Sequence, residues 1–152
     1  MNALRSAALL LLLSAGSAAA QPAATPAPPR GDPRVPQPRQ EKVFDLGVTW
    51  MALSLNGKPF TGRDRPSFSI DKQFRARGFG GCNTFAATAY PLREQRLAVS
   101  PLTWTKKTCD RATMAAETAF FQALRYAVQW DRQGSTLIVK SPNGELRFER
   151  AI

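Results

Sequence analysis

The residues of this chain that could do chemistry are few, and they centre on Gly78-Phe79-Gly80-Gly81-Cys82-Asn83 and one further cysteine, Cys109. Two thiols suit three states: a disulfide, a nucleophilic thiolate, or a pair of buried free thiols acting as small apolar groups. A nucleophilic cysteine needs a base to take its proton, and the chain has no histidine. The same lack removes Ser-His activation and the commonest transition-metal ligand. The glycines could cradle a phosphate, but Asn83 stands where G-x-G-x-x-G has its third glycine. Thr84 to Tyr90 also lacks the helical apolar spacing that should follow such a loop. Gly78, Gly80 and Gly81 are instead expected at positive-φ or close-approach positions, where a strand ends and the chain turns at Asn83. Ser69-Ile70-Asp71-Lys72 fits S-x-x-K, which needs a helix start, whereas Phe68 and Ile70 alternate as in a strand and no S-D-N or K-T-G is present. Carboxylates are scattered, with no pair on a recognisable acid/base scaffold. The expectation is no catalytic residue, no cofactor and no metal site.

Residues 1–20 follow the grammar of a secretory signal: Arg5 in the n-region, Ala7 to Leu13 as the apolar h-region, and Ala18-Ala19-Ala20 before the cut. The apolar run is far short of the roughly 20 residues that span a bilayer. A lipoprotein signal would need a cysteine just after the cut, and the first is Cys82. The mature chain is thus expected to begin at Gln21, without a transmembrane segment, in the periplasm or outside the cell. That compartment is oxidising, so Cys82 and Cys109 are expected to form one disulfide.

Residues 21–42 carry seven prolines, with Val35 the only large apolar side chain, and are expected to form a disordered, partly polyproline linker. Residues 43–152 have the length of one domain. The net charge is +10. Its arginines are dispersed and not interleaved with aromatics, which speaks against nucleic acid. An anionic surface or an unknown envelope component is the expected partner of a monomeric protein.

Several elements must position the cysteines. Val48 to Leu55 alternates into Asn56-Gly57, Ser67 to Ile70 alternates into Asp71-Lys72, and Gln73 to Arg77 runs into the glycines, an antiparallel meander. Leu97 to Trp104 is a further strand region broken by Pro101. Asp110 to Arg125 is predicted as a helix, capped by Asp110 or Thr113, with Met114, Glu117, Phe120, Phe121, Leu124 and Val128 recurring on one side. Three short strands follow, with turns at Gln133-Gly134 and Asn143-Gly144. A helix between two meanders predicts an α+β fold, with an antiparallel curved sheet or partly open β-barrel and one packed helix.

Taken in order, Val48-Thr49-Trp50, Leu55-Asn56-Gly57-Lys58-Pro59, Gly80-Gly81-Cys82-Asn83-Thr84-Phe85, Trp104-Thr105-Lys106-Lys107-Thr108-Cys109, the helix and Gly134-Ser135-Thr136-Leu137 resemble the META domain of HslJ-like proteins. The resemblance implies a small, partly open barrel with a packed helix, found in bacterial envelope proteins associated with heat shock and novobiocin tolerance. It implies no enzymatic activity and no cofactor, and it makes Gly81, Cys82 and Asn83 structural. Two departures stand out. Ala86-Ala87-Thr88-Ala89-Tyr90 lacks the glycine usual after G-C-N, so the turn there is expected to differ. Thr108 and Asp110-Arg111 replace the proline or methionine frequent around the second cysteine. The functional expectation is a non-enzymatic exported protein that supports envelope integrity or stress tolerance by binding. The alternative is a carrier of a small apolar or anionic ligand inside the barrel.

Overall fold

The computed structural model describes residues 41–61 and 64–152, so the expected signal and nearly all of the expected linker lie outside the described residues. Ten strands and one helix follow in the order β1 (Thr49–Leu55), β2 (Lys58–Pro59), β3 (Ser67–Ile70), β4 (Arg75–Phe79), β5 (Thr84–Pro91), β6 (Leu97–Val99), β7 (Thr103–Trp104), α1 (Arg111–Arg125), β8 (Gln129–Gln133), β9 (Thr136–Ser141) and β10 (Gly144–Arg150). The strands form one antiparallel sheet in the order β6-β5-β4-β3-β1-β10-β9-β8, with β2 added to β1 and β7 to β5. Strand β1 joins the two meanders: Trp50 lies opposite Phe68 on one side and Arg150 on the other. The outer strands then approach each other through an Arg96–Gln129 bridge and a 3.1 Å bond from Leu97 N to Val128 O. The result is a nearly closed barrel with one seam, an α+β fold as expected.

Alternation explains which side faces inward. Trp50, Phe68, Ile70, Trp130, Leu137, Val139, Leu146 and Phe148 are buried from five different strands and fill the interior. Burying side chains of this size stabilises by about 1.5–3 kcal/mol each. That filling counts against a carrier that holds its ligand within the barrel. Lys42, placed by sequence in the linker, donates 2.9 Å to the Arg132 carbonyl and pairs with Asp131, covering the edge of β8 at the seam.

Helix α1 starts one residue later than expected because Asp110 is its N-cap, its carboxylate accepting from the amides of Ala112 and Thr113 at 3.0 Å each. Phe120 is fully buried and meets Phe60, Phe85 and Phe148 at ring separations of 6.2, 6.2 and 6.3 Å. The expected apolar stripe needs one correction: Val128 lies beyond the helix and is half exposed, whereas Ala123 is buried. A strand was missed altogether. Thr84 to Pro91 is uninterrupted β5, so Ala86 to Tyr90 contains no turn.

The β5–β6 hairpin turns at Glu94 and Gln95, with φ of 57° and 55°. Two successive left-handed residues make a primed turn, closed by a 3.2 Å bond from Arg96 N to Arg93 O, and such turns favour Asn-Gly. The double substitution Glu94→Asn, Gln95→Gly should therefore stabilise the domain by about 1–2 kcal/mol. A higher urea midpoint at unchanged slope would register this, and an unchanged or lower midpoint would refute it.

Asp45 ties the approach to β1 onto β8 and β10. Its carboxylate accepts 2.7 Å from Arg132 Nη1 and also from Arg150 Nη2. Burial opposes its charge, but the hydrogen bonds and charges of the two guanidiniums together outweigh burial and hold its pKa below the ordinary carboxylate range. Because the folded value is the lower one, this contribution is present above the unfolded value of about 3.9 and fades as pH falls through the folded value. Between pH 5 and pH 3 the melting temperature of Asp45→Asn should fall less than that of the parent. Parallel curves would exclude the linkage.

Candidate functional site

The G-C-N motif lies where β4 ends, and its geometry follows from two glycines. Gly80 N donates 2.7 Å to Asn83 O, closing a tight turn, and Gly81 adopts φ +116°, open only to glycine without strain. A Cβ on Gly80 would fall 2.5 Å from the Phe121 ring and 2.6 Å from Glu117 Oε2, so its absence lets α1 approach the turn. Gly78, within β4, is also a close-approach position: a Cβ there would fall 2.0 Å from the Ser67 carbonyl oxygen and 2.7 Å from the Phe85 ring.

Glu117 points from α1 into this turn and is 3% exposed. Its Oε2 accepts from Cys82 N at 3.0 Å and Asn83 N at 2.6 Å, and its Oε1 accepts from Asn83 Nδ2 at 2.7 Å. Among the described residues no cation pairs with it. Three donors thus take the place of solvent around a group that would be costly to bury unpaired. Asn83, also buried, uses the rest of its amide on the segment before the helix. Oδ1 accepts from Thr105 Oγ1 at 2.8 Å and Lys107 N at 2.7 Å, and Nδ2 also reaches Lys107 O at 3.3 Å. Its side chain thereby acts as a short piece of strand edge for residues 105–107, prolonging the β5–β7 pairing through Thr105 N to Thr84 O at 3.1 Å.

Cys82 and Cys109 are joined in a disulfide, with Cα atoms 6.1 Å apart. The expected group of Gly81, Cys82, Asn83 and Cys109 is therefore assembled in one place, as a clasp between the β4–β5 turn, the exposed strap 105–110 and the start of α1. Glu117 is the member that sequence reasoning missed. It stands alone among apolar residues on its helix side, and that isolation was the available signal. The S-x-x-K match is split between β3 and the following turn, where Asp71 accepts from the amides of Gln73 and Arg75 at 2.9 Å each, so it forms no helix start.

A barrel with one seam, one packed helix and a G-C-N turn clasped to the helix defines a class of small domain. The chain belongs to the META domain family, whose model matches residues 44–151. No curated protein matches the chain. Among solved structures it is similar to a protein determined by NMR, at 21% identity and a TM-score of 0.57, over 67% of this chain and 87% of that one. It is also similar to a Burkholderia xenovorans protein determined by NMR, at 19% identity and a TM-score of 0.57, over 77% of this chain and 99% of that one. At these identities the likeness extends to the fold.

Proposed function

We propose that this is an exported, non-enzymatic META-domain protein that supports envelope integrity or stress tolerance by binding an envelope component. The observation that carries this reading is the commitment of the side chains of the G-C-N motif to the fold. Asn83 uses its amide on four contacts, Glu117 accepts three bonds, and both sulfurs are joined. A motif so used is a structural device, which leaves function to the surface. The disulfide fits an oxidising compartment and agrees with the export signal read in residues 1–20.

The test combines fractionation with capture. Tagged protein should appear in the periplasm or medium with Gln21 as its first residue, and should enrich a reproducible component from envelope extract. A deletion strain should lose tolerance to heat or novobiocin. Cytoplasmic retention with residues 1–20 intact would overturn the export reading, and turnover of a small substrate by the purified domain would overturn the non-enzymatic one.

A further inference from the structure

We propose that the face crested by Trp104 docks onto an anionic lipid surface. This names a partner for the binding reading above and rests on it. Trp50 and Trp130 are buried, whereas Trp104 is 50% exposed and Tyr126 55%. Trp104 lies against Phe121 at 5.3 Å and divides two open clefts. One, of about 580 Å³, runs along Arg77, Ala86 and Thr103, and the other, of about 280 Å³, lies between Leu102, Phe121, Arg125 and Tyr126.

Charge selects the occupant. No carboxylate lines either cleft, while three clefts near the seam carry Glu41, Glu94 or Asp131. The six ion pairs among the described residues use Lys42, Arg65, Arg75, Arg132, Arg147 and Arg150. Arg77 and Arg125 have no acidic partner there. Arg125 instead bonds the Val99 carbonyl and lies 5.4 Å from the Tyr126 ring centre. Lys106 and Lys107, both exposed, extend the positive charge along the strap. Tryptophan and tyrosine with an apolar body and a polar tip, ringed by uncompensated cations, suit the headgroup layer of an anionic bilayer: the rings enter the interface and the cations meet the phosphates.

The three tryptophans make the test specific, because only the exposed one can respond to a surface. The mature protein is mixed with neutral phosphatidylcholine vesicles, or with vesicles also containing phosphatidylglycerol, and followed by co-sedimentation, tryptophan emission and acrylamide quenching. Binding should favour the anionic vesicles about ten-fold, shift emission to the blue, protect against quenching, and weaken as salt is raised. Arg77→Glu, at an exposed strand position, should lower binding about ten-fold with an unchanged unfolding midpoint. Trp104→Ser should abolish the emission response. Equal binding to both vesicles, binding without an emission change, full binding by Arg77→Glu, or equal competition by free glycerol phosphate would each overturn the proposal. If envelope extract yields a protein partner while vesicles fail, this inference falls and the proposed function stands.

Discussion

Glu117→Ala should remove roughly 3 to 5 kcal/mol from the stability of the domain. A domain of this size has only about 5–15 kcal/mol to lose. The substitution deletes the acceptor for Cys82 N, Asn83 N and Asn83 Nδ2, all in buried bonds between the turn and α1. Glu117→Gln separates shape from acceptor count. Its single oxygen can serve the two amides, but its NH₂ then faces Asn83 Nδ2, donor against donor. Turning Asn83 over would relieve that pair but set its NH₂ against the Lys107 amide, donor against donor, while the Thr105 hydroxyl could turn to accept. A loss of about 1–3 kcal/mol is expected for Gln, between parent and alanine. Urea midpoints at neutral pH order the three proteins. An alanine variant within about 1 kcal/mol of the parent would show that the turn does not depend on this carboxylate.

What was legible in the sequence, and what was not, divides along contact distance. The Asn56-Gly57 hairpin was readable because the turn chemistry is local, and Asn56 and Gly57 do adopt φ of 52° and 77°. The last hairpin is displaced by one residue from Asn143-Gly144: Pro142 and Asn143 make its turn, and Gly144 pairs with Ser141 at the start of β10. Helix α1 was readable from its apolar spacing and its aspartate cap. Strand β5 was not: its inward positions are Phe85, Ala87 and Ala89, so the apolar alternation is mostly alanine and carries little signal. What makes it a strand is pairing with β4, β6 and β7. The clasp was half legible. Its cysteines could be paired because the chain has only two, but the reason for Asn83 lies in partners 22 to 34 residues away along the chain. The same distance hid Glu117, visible from sequence only as an acid out of place. Trp104 was readable as the end of a strand, while its half exposure depends on how the strap passes over Phe121.

The second large effect concerns the disulfide itself. Removing it by Cys82→Ala with Cys109→Ala should lower stability by roughly 3 to 4 kcal/mol. The bond joins residues 27 apart, and closing a loop of that length restricts the unfolded chain by this amount. In the folded state the bond holds the strap beside Asp110, the cap of α1, but it is not the only tie there. Asn83 still grips Thr105 and Lys107 when the sulfurs are gone, so the variant should fold to the same structure and unfold in one transition at a lower midpoint. Asn83→Ala alone should be tolerated less well without the bond than with it, because the two ties share one strap and their effects are coupled. Protein taken from the periplasm and denatured without reductant should show no free thiol. Two titratable thiols there would mean that the bond does not form in the cell. A cysteine-free variant as stable as the parent would mean that the strap is held by Asn83 and Glu117 alone.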